Sequence, residues 1–208
     1  MGVTFNNTHT STWGLILTST KIEKPAPKTS FIDIPFGDGA ADLSEASGEI
    51  KYQMRQVVME FKITDIAAYE TLLTTIANEI HGRKVKITLD KDPAYYYYGR
   101  VSVEYDKDTT IGTIVVTALC DPYKYKITLT EQVEAITTSK SVTIHNDRKK
   151  AYPKITTTAS FSIVKDGVTY TYGTVSGLQT AIPLVEGDNT LACTGTGTIT
   201  FEFQEGAL

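Results

Sequence analysis

The chain has 208 residues, of which 41% are hydrophobic and 21% charged, with a net charge of −4. That is the composition of a soluble globular protein built as one large domain or two small ones. No run of about 18 apolar residues is present to span a membrane as a helix, and neither half carries the basic excess that general nucleic-acid binding demands. Residues 136–208 are balanced at six cations and six anions, so the −4 falls on residues 1–135.

The opening "MGVTFNNTHTSTWG" has no basic n-region and no apolar h-region, so no secretion signal is expected. Asn6 stands where a myristoylation motif following Gly2 needs Ser or Thr. Further on, "SFIDIPF" (30–36) alternates apolar and polar residues, the period of a half-buried strand. The next stretch, "GDGAADLSEASGE" (37–49), is small and acidic. It matches neither phosphate-binding glycine motif and reads as a long, mobile, acidic loop.

The period then changes. In "TDIAAYETLLTTIANEIHGRK" the residues Ile66, Tyr69, Leu72, Leu73, Ile76, Ala77 and Ile80 recur at spacings of three and four, which predicts one amphipathic helix over about 65–81. Thr64 or Asp65 can cap its start, and Gly82 can take the left-handed position past its end. His81, in the last turn, suits the helix dipole as a cation.

A strand follows at "KVKITLD" (84–90), and then "KDPAYYYYGRVSVEYDKD" (91–108). On a strand, Tyr95 and Tyr97 point to one face and Tyr96 and Tyr98 to the other. A sugar-stacking platform wants its rings on one exposed face. The split predicts core or subunit-interface roles for Tyr95, Tyr96, Tyr97 and Tyr98, in a sheet covered by the helix on one face and by another sheet or a neighbouring subunit on the other. The two "DKD" triplets at its ends lie about 40 Å apart on a straight strand, so they share no ion and read as solvated turns.

"TEQVEAITTSKS" (130–141) is polar and small, and marks a break. After it come further alternating runs, "SVTIHN" (141–146), "SFSIVKDGVTYTYG" (160–173) and "GTITFEF" (197–203), with Asp166-Gly167 as a type I′ hairpin turn. The expected fold class is therefore mainly β: an α+β N-terminal domain at 1–132 with one helix, and a C-terminal β-sandwich at 138–208.

Chemistry is sparse. His9, His81 and His145 lack a second ligand at metal spacing, and no nucleophile motif appears. The residues indicate no enzyme, no catalytic group, no metal and no cofactor. Cys120 and Cys193 lie in apolar segments with no CxxC pair, and read as buried thiols of a protein assembled in a reducing cytoplasm.

Several segments, taken in order, resemble the distal tail protein (Dit) family of long-tailed, non-contractile phages. They are "FNNTHTSTWGLILTSTKIEKPAPK" (5–28), "FIDIPFGDGAADLSE" (31–45), "IKYQMRQVVMEFKI" (50–63), the helix ending in His81-Gly82, the tyrosine strand and "VVTALCDPYKY" (115–125). "IHNDRKKAYPKI" (144–155) and "IPLVEGDNTLACTGTGTITFEF" (182–203) continue the likeness to the C-terminus. Two positions depart from the pattern: Phe36 stands between Pro35 and Gly37 where the family runs from Pro to Gly, and "NDRKKAYP" lacks a Gly after Asn146.

The resemblance implies a structural tail-tip component in the virion, assembled in the host cytoplasm. It implies a homo-hexameric ring built by the first domain, with the tail tube protein on one side and a tail-associated hub protein on the other. The second domain would offer a docking surface to receptor-binding or other baseplate proteins. DNA would pass through the lumen without specific binding, and no membrane is engaged. Two alternatives stay open on the residues: a carbohydrate-binding β-sandwich protein using the tyrosines and Trp13, and another ring-forming tail protein such as a tube or terminator subunit.

Overall fold

A computed structural model describes residues 1–46, 48–63, 67–107 and 112–208. The chain divides into two compact units, Met1–Lys124 with Leu208, and Tyr125–Ala207. The division falls earlier than the composition break at 130–141 suggests. Those polar residues are strand rather than linker, because a ladder is made by backbone groups whatever the side chains.

The first unit is an antiparallel sheet. Its strands are β1 (Val3–Phe5), β2 (Thr8–His9), β3 (Ile16–Ile22), β6 (Arg55–Ile63), β7 (Lys84–Leu89), β8 (Tyr95–Lys107) and β9 (Gly112–Cys120). They run in the order β2-β1-β7-β8-β9-β6-β3. β4 (Phe31–Asp33) and β5 (Ala40–Asp42) form a separate two-stranded ribbon between β3 and β6. The helix α1 (Tyr69–Ile80) connects β6 to β7.

Period two decides which face of the sheet is core. Val57, Met59, Phe61 and Ile63 of β6, Ile114, Val116 and Ala118 of β9, and Val85, Ile87 and Leu89 of β7 all turn to one side and are buried. The helix covers that side with Tyr69, Leu73, Ile76 and Ile80, each apolar side chain contributing about 2 kcal/mol by leaving water. The helical spacing predicted these contacts. The expected caps Thr64 and Asp65, and Ile66, lie outside the described residues; Ala68 precedes the helix with no side-chain cap. Gly82 takes the left-handed backbone expected of it, at φ 71°.

His81 does a different job from the one expected. Its Nδ1 accepts a hydrogen bond from the Val103 N–H at 3.0 Å, which requires that nitrogen unprotonated. The ring pins the helix end to β8 rather than serving the dipole as a cation.

The short β10 (Lys124–Lys126) carries the chain into the second unit, a β-sandwich. One sheet runs β11 (Thr130–Ile136), β18 (Gly197–Phe203), β13 (Lys154–Thr157), β16 (Val175–Gln179). The other runs β12 (Ser139–Asn146), β17 (Gly187–Gly195), β14 (Phe161–Lys165), β15 (Val168–Tyr172). Inward residues such as Ile144, Ile155, Phe161, Ile163, Leu191, Ile199 and Phe201 are fully buried and make a core of their own. At the hairpin β14–β15, Asp166 and Gly167 have φ of 51° and 78°, both left-handed as a type I′ turn requires. The departure at "NDRKKAYP" is also resolved. No residue of 146–150 has a positive φ; the Asn146 Nδ2 instead donates to the Lys149 carbonyl at 2.9 Å and closes the turn with its side chain.

At its C-terminal end the sandwich carries a buried carboxylate. Glu205 pairs with Lys126 at 2.5 Å and accepts from the Thr130 hydroxyl. Burial disfavours the charged Lys126, but its bonds to Glu205 and Asp147 outweigh that and hold it protonated above the ordinary lysine range.

Candidate functional site

The tyrosine strand alternates as its spacing predicts. Tyr97 is buried on the core face, with Tyr95 half-buried beside it. Tyr96 is half-buried and Tyr98 exposed on the opposite face, where Leu119 is also open to solvent. Among the described residues the helix packs on the core face, while Tyr98 and Leu119 on the other face stay 38% and 49% exposed.

Each ring faces a cation from its own unit. Lys124 Nζ lies 4.2 Å from the Tyr95 centroid, Lys86 4.3 Å from Tyr96, Lys84 4.5 Å from Tyr98, and the Arg55 guanidinium 5.5 Å from Tyr97. Lys124 is held in turn by Asp92 at 2.7 Å, and Lys84 by Asp121 at 3.3 Å. Asp90 and Asp92 thus have structural partners, Asp90 accepting from the Gly2 N–H at 2.5 Å and facing His9. Of the second "DKD", Asp108 lies outside the described residues.

Arg55 is buried under Tyr97. Its Nε donates to the Pro122 carbonyl at 2.8 Å, and its Nη2 has no hydrogen-bond partner among the described residues. Burial pulls the guanidinium below its ordinary range, opposed by Tyr97 and Cys120. Burial likewise raises the Tyr97 hydroxyl, opposed by Lys124 and Arg55. Among the described residues no group of three His, Cys, Asp or Glu side chains is placed to hold a metal.

Cys120 and Cys193 are buried free thiols. Burial pushes Cys120 from 9.0 to about 12 and Cys193 from 9.0 to about 11. An unfolded thiol loses its proton near pH 9 and the folded Cys120 only near 12. The folded state therefore binds more protons between those values, and stability falls as pH rises through them. Each unit of that window is worth about 1.4 kcal/mol for one such group. Denaturant melts from pH 7 to 10.5 should show this loss, and Cys120→Ala, though less stable at pH 7, should show a flatter slope.

The second exposed feature is the segment between β3 and β6. It folds into an arm: within the expected loop at 37–49, Ala40–Asp42 is a strand, and residue 47 lies outside the described residues. Its two sides are zipped by Gln53 N–H to the Ala26 carbonyl (2.8 Å), Lys28 N–H to Lys51 (2.7 Å) and Leu43 N–H to Ser30 (2.8 Å), and by β4 pairing with β5. Every residue from 26 to 43 is exposed. That set includes Phe31, Ile32, Ile34, Phe36 and Leu43, with Ile50 and Met54 exposed on the returning side. The period-two pattern at 30–36 identified the strand; its apolar residues were expected to be half-buried, and the chain itself buries none of them.

These features define the class: a two-unit β protein, a helix-backed antiparallel sheet with a protruding apolar arm, followed by a β-sandwich. By sequence, no family model and no curated protein matches the chain. By structure, it is similar to the crystal structure of the SPP1 Dit (gp 19.1) protein, described as a paradigm of the hub adsorption apparatus in phages that infect Gram-positive bacteria. The TM-score is 0.73 at 15% identity, over 100% of this chain and 99% of that one. The chain therefore has the fold of a phage distal tail protein along its whole length.

Proposed function

We propose that this protein is a structural, non-catalytic component of the tail tip of a long-tailed phage or prophage-derived particle. In this reading six copies form a hub ring that joins the tail tube to the baseplate and receptor-binding apparatus. The observation that carries it is the end-to-end structural likeness to a hub protein, which takes in both units. The arm supports assembly: a chain that leaves Phe31, Ile32, Ile34, Phe36 and Leu43 in water is poised to bury them against another molecule. A closed ring also uses up edge strands that would otherwise invite open-ended pairing.

The first unit would build the ring, with the tube protein on one side and a tail-associated hub protein on the other. The sandwich would remain available to receptor-binding or other baseplate proteins. Because the −4 net charge falls on residues 1–135, a lumen lined by this unit would not grip the phosphates of passing DNA. Tyr95, Tyr96, Tyr97 and Tyr98 divide between core and interface. Their intrachain cations occupy the ring faces that sugar stacking would need, which disfavours the carbohydrate reading.

Light scattering across a concentration series, with negative-stain microscopy of the same samples, tests the reading. Single or stacked six-fold rings are the expected result. A chain that stays monomeric at every concentration overturns the self-assembling ring.

A further inference from the structure

We propose that the sheet face opposite the helix pairs with the same face of a second copy, turned end for end about a two-fold axis. The pairing uses a surface other than the arm and does not depend on the six-fold reading. Alternation along each strand places the residues of this face. The register sets Lys84 beside Arg100, Lys86 beside Tyr98, and Arg100 beside Leu119. At this end Lys84, Lys86 and Arg100 are opposed by Asp121, which holds Lys84 at 3.3 Å. Two positive charges are left in excess. Further along the strands the sign reverses. Glu104, Val115 and Glu60 form one row across β8, β9 and β6, and Asp106, Thr113 and Lys62 form the next on that face. Here two negative charges are in excess. Glu60 and Glu104 have no ion-pair partner among the described residues, so the chain does not neutralise them itself.

Between the two ends lie Ser102, Thr117 and Val58, adjacent in register. They are short and uncharged, and Ser102 is exposed. Such a strip lets a second sheet approach to about 10 Å, the ordinary spacing of stacked sheets. A two-fold interface requires a patch that complements itself. With the axis near Ser102 and Thr117, the positive end of each copy meets the negative end of the other, so the match is made twice. Stacking in the same direction would set like charges together. Charge of this kind fixes orientation and speeds encounter more than it adds affinity. Affinity comes from apolar area, which the exposed Leu119 and Tyr98 supply. From Tyr98 to Asp106, and across β7, β8, β9, β6 and β3, the face measures about 26 Å by 24 Å at ordinary strand spacings. A pair therefore covers about 1,200 Å² in total, the lower limit of a specific stable interface.

Charge reversal at one end and then the other tests the pairing. Lys86→Glu with Arg100→Glu makes the whole face negative; Glu60→Lys with Glu104→Lys makes it positive. In each variant the dissociation constant of the double-mass species, measured by sedimentation, should rise about tenfold or more. An equimolar mixture of the two should recover the wild-type value, because each face then meets its opposite. A second measurement keeps all the native charges. Ser102→Cys lies near the axis, and a short bismaleimide should link it to the same residue of the second copy; the native thiols Cys120 and Cys193 are buried and do not compete. Association that both reversals leave unchanged overturns the charge-matched face. Six-fold rings with no Ser102→Cys crosslink overturn the pairing and leave the ring reading standing. A crosslinked pair that the mixture restores, from a chain that never forms rings, upholds the pairing and overturns the ring. A wild-type chain that stays monomeric and gives no crosslink overturns both.

Discussion

Replacing Ile32 and Ile34 together by glutamate should abolish ring formation and leave the monomer folded. The two residues are two apart on one side of the arm, and they are 56% and 48% exposed. Their intrachain contacts are few, so substitution should change monomer stability by no more than about 0.5 kcal/mol, as at ordinary surface positions. At an interface the same change removes two anchors. Truncating an anchor costs about 2 kcal/mol, and each 1.4 kcal/mol is tenfold in affinity. Two would weaken each contact about a thousandfold, before counting the expense of pressing carboxylates into an apolar surface. Scattering mass and thermal melts on the same preparation separate the outcomes. Rings that persist would show that the arm serves another partner. A monomer that unfolds would show that the arm packs on its own chain in solution.

Tyr97→Ala should destabilise the first unit by about 3–5 kcal/mol, the range for removing a large buried ring. Tyr97 is 5% exposed and lies against the Arg55 guanidinium. Its loss would open a cavity and strip an already under-satisfied buried cation of its neighbour. Tyr98→Ala is the control. That ring is 38% exposed and touches Lys84, an exposed cation–π contact worth about 0.5–1 kcal/mol. Urea melts of the two variants should therefore differ by several-fold in lost stability. Equal losses would mean that the Tyr98 face is also covered in the monomer. If Tyr98→Ala leaves the melt unchanged yet lowers the scattering mass, the open face of the sheet belongs to the assembly surface.

The adjacent tyrosines show why side-chain pattern reads orientation better than cover. Alternation is local and obligatory, so placing Tyr95 and Tyr97 opposite Tyr96 and Tyr98 needed only a strand. Whether a face is covered depends on elements far away in sequence. The helix came to one side, and on the other Tyr98 and Leu119 stay exposed. The arm failed to show itself for a related reason. "GDGAADLSEASGE" has the small, acidic composition of a loop, and only its pairing with Phe31–Asp33 makes Ala40–Asp42 a strand. The same holds at Thr130–Ile136, where polar residues form a ladder because β18 lies alongside. His81 suited the dipole by position, yet the Val103 N–H, 22 residues away, fixed its role.

The chain's own order of residues determined the mainly β class, the helical segment, the left-handed Gly82, the type I′ hairpin and the buried thiols, because each follows from periodicity or from backbone preferences acting within a few residues. Tertiary structure alone decided that Tyr97 is buried while Tyr98 stays exposed, and that the segment before β6 is left as an exposed apolar arm. Those are outcomes of which distant surfaces meet and which are left over, and an interaction between remote segments writes no local signature into either of them.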